Sequence, residues 1–227
     1  MHARPLLPVL ALALVFTACE STASYHPPRS AALSFDSTAV GVVPAGWSVD
    51  GTHASGAHAS WSVRADADAP TAPNVLSMTR AGGSSDDTFN LCWTDELTLL
   101  YGAIEVRLRA DGGAVDQGGG VIWRAQGPDD YYICRYNPLE ANFRVYVVSD
   151  GVRRQLATAL VPGDGKGWHH LRIEHGLQGR ITCTLDGTTK LEARDDTLPR
   201  LGGVGLWTKA DALTSFDDLK VEPWDAR

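Results

Sequence analysis

The chain has 227 residues, 44% of them apolar and 21% charged, an ordinary globular composition that excludes disorder and coiled coil. Its 20 Lys and Arg stand against 27 Asp and Glu for a net charge of −7, with no basic block, so no nucleic acid is expected as a partner. The 23 Gly, 12 Pro and 7 Trp beside 2 Met favour a turn-rich β protein over a helical bundle.

Residues 1–18 read as an export signal, because Arg4 precedes an apolar run, Leu6 to Phe16, that is too short to span a bilayer. Phe16-Thr17-Ala18-Cys19 ends that run with small residues directly before a cysteine and resembles a bacterial lipobox. Cleavage before Cys19 and lipidation of its thiol are therefore expected. Several acyl chains together anchor stably, at about 0.8 kcal/mol per buried CH₂. The expected location is the bacterial cell envelope, outside the cytoplasm, with the membrane a partner through the lipid. Residues 19–32 carry almost nothing that could build a core and fit a flexible tether. The folded domain is expected over 33–227.

From Leu33 onward the apolar period is two, and turn residues recur about every ten positions. Ile104, Val106 and Leu108 alternate with Glu105, Arg107 and Arg109; Val145 and Val147 alternate with Arg144 and Tyr146; Ile181, Cys183 and Leu185 alternate with Arg180, Thr182 and Thr184. One face of each strand is expected buried and the other wet. Asp111-Gly112-Gly113, Asp150-Gly151 and Asp186-Gly187 supply hairpin turns between such runs. About a dozen strands without a linker-like break suit one large two-sheet antiparallel jelly-roll sandwich, an all-β fold. Without Cys19 the odd set Cys92, Cys134 and Cys183 remains, and Cys134 and Cys183 are expected as buried, inert thiols. No CxxC spacing exists, so no zinc site is expected.

Two stretches carry a resemblance. Gly119-Gly120-Val121-Ile122-Trp123-Arg124, Asp130-Tyr131-Tyr132-Ile133-Cys134-Arg135-Tyr136-Asn137-Pro138-Leu139-Glu140 and Asn142-Phe143-Arg144-Val145-Tyr146 form the first. Trp168-His169, Val204-Gly205-Leu206-Trp207-Thr208-Lys209-Ala210-Asp211 and Phe216-Asp217-Asp218-Leu219 form the second. Together they resemble a bacterial family of concanavalin A-like jelly-roll proteins, grouped with the 3-keto-disaccharide hydrolase domain and more distantly with laminin G-like and family 16 glycoside hydrolase folds. The resemblance implies a concave sheet that could take a glycan.

Alternation says which side chains would stand on that sheet. With Val121, Trp123, Tyr132, Cys134, Tyr136 and Leu206 facing in, Arg124, Tyr131, Arg135, Asn137, Arg144, Tyr146, Trp207 and Lys209 face out, and Glu140 follows in the adjoining turn. Planar aromatics stack on sugar rings, while Arg, Asn and Glu hydrogen-bond hydroxyls. A carbohydrate ligand is the leading expectation, held without cleavage. The alternatives are a glycoside or 3-keto-disaccharide hydrolase, and a structural or protein-interaction module whose cross-strand pairs only hold register.

Catalysis has little to stand on. The Glu-x-Asp-x-(x)-Glu strand of family 16 enzymes, which sets two carboxyls about 5 Å apart, does not occur. Glu105, Glu140 and Asp217 are the acid or base candidates. Asp217-Asp218 would at most hold Ca²⁺ on the rim of the sandwich; no other cofactor and no metal site is expected. His53 and His58 lack a third ligand, and the Gly118-Gly119-Gly120 run opens no phosphate-binding helix.

Overall fold

The computed structural model describes residues 29–83, 85–163 and 166–225, so the expected export signal and Cys19 lie outside the described residues. Those residues form fifteen β-strands and one short 3-10 turn, Leu177–Gly179. The eight-stranded sheet runs, edge to edge, β13 (Thr189–Arg194), β12 (Arg180–Leu185), β11 (His169–His175), β6 (Gly102–Gly112), β15 (Leu213–Pro223), β4 (Asn74–Arg80) and β3 (Ser60–Ala65), with β1 (Ala31–Leu33) also on β15. The seven-stranded sheet runs β10 (Val152–Leu160), β9 (Asn142–Ser149), β8 (Asp130–Asn137), β7 (Gly119–Gly127), β14 (Gly202–Lys209), β5 (Phe89–Leu99) and β2 (Ser48–Thr52). All pairings are antiparallel, and the chain crosses repeatedly between the sheets, after β1, β2, β4, β5, β6, β10, β13 and β14, as a jelly-roll sandwich requires. Its first described strand takes in the last two residues of the expected tether, because Ala31 and Ala32 pair with Val221 and Lys220 along β15.

The inter-sheet core is built by the expected alternation. Val121, Trp123, Tyr132, Cys134, Tyr136, Phe143, Val145, Val147, Val204 and Leu206 of one sheet join Ile104, Val106, Leu108, Leu171, Ile173, Ile181, Cys183 and Leu185 of the other in a single apolar cluster. Each fully buried aliphatic or Phe side chain contributes about 1.5–3 kcal/mol. Cys92, Cys134 and Cys183 are buried free thiols, and burial pushes the Cys134 thiol well above its ordinary range.

The expectation of a wet outer face holds for the eight-stranded sheet only, where Glu105, Arg107 and Arg109 remain partly exposed. On the seven-stranded sheet the outer face is buried as well. Phe89, Leu91, Ile122, Ala125, Tyr131, Ile133, Tyr146, Val148 and Trp207 form a second apolar cluster there, with Trp93 packed at its margin. Period-two alternation cannot reveal this, since aromatics on an outer face read the same whether water or other side chains cover them.

Candidate functional site

Strand register lays out the outer face of the seven-stranded sheet. One rung crosses it from Leu91 through Trp207, Gly120 and Arg135 to Arg144, and the next from Trp93 through Gly205, Ile122 and Ile133 to Tyr146. Glycine is required at 120 because a Cβ there would stand 1.8 Å from the Cys134 carbonyl oxygen. Gly203 and Gly205 make room for a neighbour instead: a Cβ at either would meet Trp93 atoms at 2.8 or 2.3 Å. The half-buried Trp93 indole thus lies over Gly203, with Gly205 against its Cα and Cβ, and its Nε1 donates to Asp50 Oδ2 at 2.7 Å, which fixes its rotation.

Aromatic and cationic groups continue from there. Phe89 and Trp207 rings are 5.3 Å apart, and Trp207 Nε1 donates to the Tyr131 hydroxyl at 3.3 Å, which also pairs with Thr52 Oγ1 at 2.8 Å. Arg153, from edge strand β10, reaches inward until its guanidinium stands 4.7 Å from the Phe89 ring centre and 4.6 Å from that of Tyr146. Such cation–ring contacts stabilise by about 0.5–2 kcal/mol. Burial, reinforced by the nearby Arg135 charge, lowers the Arg153 pKa against the pull of Tyr146.

The opposite end of the face is polar. Arg135, 2% exposed, donates through Nη2 to Glu140 Oε2 at 2.9 Å and stands 4.0 Å from Asp116 Oδ1. Asn137 donates to Asp116 Oδ1 at 2.7 Å and accepts the Glu140 backbone N–H at 2.9 Å; Lys209 Nζ lies 3.3 Å from Asp116 Oδ2. Asp211 accepts the backbone N–H groups of Ala114, Val115 and Asp116 at 2.7, 3.0 and 3.0 Å, which fixes the loop carrying Asp116. Burial raises the Asp116 pKa, opposed by Arg135 and Lys209. Burial acts the same way on Glu140, but hydrogen bonds from Asn142 and Arg135 and the charges of Arg135 and Arg144 win and hold it down at about 2. Several polar atoms on this face have no hydrogen-bond partner among the described residues: Arg135 Nε and Nη1, Arg153 Nη1, Asn142 Oδ1 and Asp116 Oδ2.

Of the residues expected on this face, Tyr131, Arg135, Asn137, Arg144, Tyr146, Trp207 and Lys209 are on it, with Glu140 at its rim. Arg124 is not. A bulge between Trp123 and Gly127 puts Arg124 at φ 51° and breaks the alternation, so its guanidinium turns to the Leu100 and Leu198 carbonyls at 2.6 and 2.9 Å, 1% exposed. The three acid candidates do not meet either. Glu105 stands on the outer face of the eight-stranded sheet, ion-paired with Arg172 and His170, whose hydrogen bonds outweigh burial and lower its pKa. Asp217 is buried in β15 and accepts the Thr71 backbone N–H and hydroxyl at 2.8 and 3.0 Å, so it anchors a loop. Asp218 joins it on the Thr71 hydroxyl at 3.2 Å, and among the described residues no group of three or more His, Cys, Asp or Glu gathers as a metal site.

Phe89, Trp93, Asp116, Asn142 and Arg153 were not legible as members of the face. Trp93 had a signal, Gly203 and Gly205 spaced for a neighbouring ring, but the pairing of β5 with β14 joins residues more than a hundred positions apart. An open cleft of about 790 Å³ between Tyr101, Glu174, Leu177, Arg180 and Trp224 lies on the other sheet. It lacks unsatisfied buried groups, so we place the candidate site on the seven-stranded sheet.

No protein-family model matches the chain, and neither does any curated protein. Solved structures do match in fold. A carbohydrate-binding module, CBM66, from Bacillus subtilis is similar with a TM-score of 0.58 at 18% identity, over 78% of this chain and 95% of its own. The cellulose-induced protein Cip1 gives 0.57 at 16% identity over 84% and 96%. A Bacillus licheniformis β-glucanase gives 0.56 at 14% identity over 86% and 98%. At these identities the likeness establishes the fold: the chain is a two-sheet antiparallel jelly roll of the concanavalin A-like kind.

Proposed function

We propose that this protein binds carbohydrate on the outer face of its seven-stranded sheet, as a lipid-anchored module of the bacterial cell envelope. The observation that carries the reading is the half-buried Trp93 indole, locked by Asp50 and laid over Gly203, on the same face as buried polar groups that make no hydrogen bond among the described residues. A fixed, flat aromatic surface stacks on the apolar side of a pyranose, and unsatisfied N–H and C=O groups supply directed bonds to its hydroxyls. The fold likeness to a carbohydrate-binding module supports the same reading. The apolar run from Leu6 to Phe16 and the Cys19 that follows it support the anchor.

A glycan array probed with the full chain in mild detergent tests the binding. A defined set of hits, lost in Trp93→Ala, is expected, and ligands incubated with the protein should keep their mass. An array without hits refutes the reading. For the anchor, Cys19→Ala should abolish acylation and membrane association; wild-type protein without an acyl mass refutes it.

A further inference from the structure

We infer that the ligand of this face is an acidic glycan, one whose sugar units carry a carboxylate or a sulfate. The inference rests on the sugar-binding reading above and adds the charge of the sugar.

The chain as a whole is acidic, with a net charge of −7, yet its candidate face gathers the opposite sign. Arg135, Arg144, Arg153 and Lys209 are set against Asp50, Asp116 and Glu140. The three carboxylates are already engaged, Asp50 with Trp93, Asp116 with Asn137 and Lys209, Glu140 with Arg135, Asn142 and Arg144. Arg153 forms no ion pair among the described residues; its guanidinium is held by two aromatic rings instead. Arg135 and Arg153 approach the same ring, Tyr146, at 6.0 and 4.6 Å, so two like charges share one partly dehydrated place.

Unmade hydrogen bonds point the same way. Arg135 Nε and Nη1 and Arg153 Nη1 are buried N–H donors that make no hydrogen bond among the described residues. A buried donor left so is destabilising, more when charged, and folding alone does not explain three of them around one ring. An anion with several acceptor oxygens satisfies the donors and relieves the repulsion together, through charge-assisted bonds. A neutral hydroxyl does only the first. Asn142 Oδ1 and Asp116 Oδ2, nearby acceptors without a hydrogen bond among the described residues, suit ring hydroxyls. Glu140, Arg144 and Lys209 at the rim are partly exposed, with side-chain exposures of 41, 33 and 15%.

The test is calorimetric titration of the full chain in mild detergent with three sets of probes: oligouronates, the same oligomers with carboxyls reduced to alcohols, and sulfated oligosaccharides of equal length. Acidic probes of one or both kinds are expected to bind at least about tenfold more tightly than the reduced oligomers, with the advantage shrinking as salt rises. Arg153→Gln should remove most of that advantage. Arg154→Gln, whose side chain pairs with Asp195 at 2.6 Å away from this face, should not. Since the salt dependence is read on the unaltered protein, the inference stays testable if Arg153→Gln fails to fold. Equal binding of reduced and acidic oligomers, or preference for the reduced ones, overturns the acidic ligand and leaves sugar binding standing. Binding of none of the probes, together with an empty neutral-glycan array, overturns both.

Discussion

Trp123 of the seven-stranded sheet donates its indole N–H to Nδ1 of His175 in the eight-stranded sheet at 2.9 Å, a polar contact through the middle of an apolar core. Tyr132 stacks on the indole at 5.4 Å and meets the imidazole edge-on at 5.2 Å. Because Nδ1 accepts, the proton of the neutral ring sits on Nε2, which has no partner among the described residues. Burial, with the nearby Arg124 charge, depresses the His175 pKa to about 3.

Stability should therefore fall with acid in a defined window. The unfolded chain takes up a proton at this imidazole below about pH 6.5 and the folded chain does not until about pH 3, so the stabilising neutral form is lost progressively as pH falls between those values. From pH 7.5 to 5 the loss attributable to His175 is about 2 kcal/mol. Urea melts of wild type and His175→Gln at both pH values check it: the variant starts less stable but should lack this share of the pH dependence. Equal pH dependence in the two proteins would overturn the assignment.

Arg124→Ala should destabilise strongly while leaving any ligand affinity of the folded fraction unchanged. Its guanidinium makes three hydrogen bonds to the Leu100 and Leu198 carbonyls and lies 5.5 and 5.8 Å from the Tyr101 and Tyr132 rings. Truncation strips those carbonyls of buried donors, a cost of about 1–3 kcal/mol for each one left unsatisfied. A denaturation midpoint within error of wild type would show that the guanidinium is dispensable to the fold.

The same residue shows how far the sequence could be read. The jelly roll, the inward set from Val121 to Leu206 and most of the outward set follow from a period of two, because that period is a property of the strand itself. Arg124 escaped because a bulge inserts residues without marking the sequence, and every side chain within it changes face. The second cluster escaped for another reason. Whether Tyr131 and Trp207 face water depends on Arg153 reaching in from the far edge strand and on Thr52 arriving beside Tyr131, contacts between distant segments that no local pattern encodes. The separation of Glu105 and Asp217 from this face was equally hidden, since strand membership said nothing of which sheet each strand would join.

Cys134 should remain a thiol and act only through packing. It is fully buried with Cys183 in the inter-sheet core. Alkylation under denaturing, non-reducing conditions should label Cys92, Cys134 and Cys183 alike, and Cys134→Ala should cost about 1–2 kcal/mol. An intramolecular bridge seen by mass would overturn the thiol assignment.

Trp93 and Trp207 separate binding from folding on one face. Alternation alone places Trp207 outside the inter-sheet core, but it is 1% exposed, packed on Phe89 and bonded to the Tyr131 hydroxyl. Trp207→Ala should therefore cost about 3–5 kcal/mol, the range for truncating a buried aromatic, and any loss of binding would accompany loss of structure. Trp93 sits at the margin of the same cluster, half-buried, with Gly203 beneath it and Asp50 holding its N–H. Its side chain is already partly exposed, so Trp93→Ala should cost only about 1–2 kcal/mol while weakening sugar affinity at least about tenfold. Asp50→Asn keeps an acceptor for the indole and should fall between wild type and Trp93→Ala in affinity, with little change in melting temperature. Thermal melts and calorimetric titrations of the three variants check the scheme. A Trp93→Ala protein that melts near wild type and binds as tightly would move the sugar platform off this tryptophan.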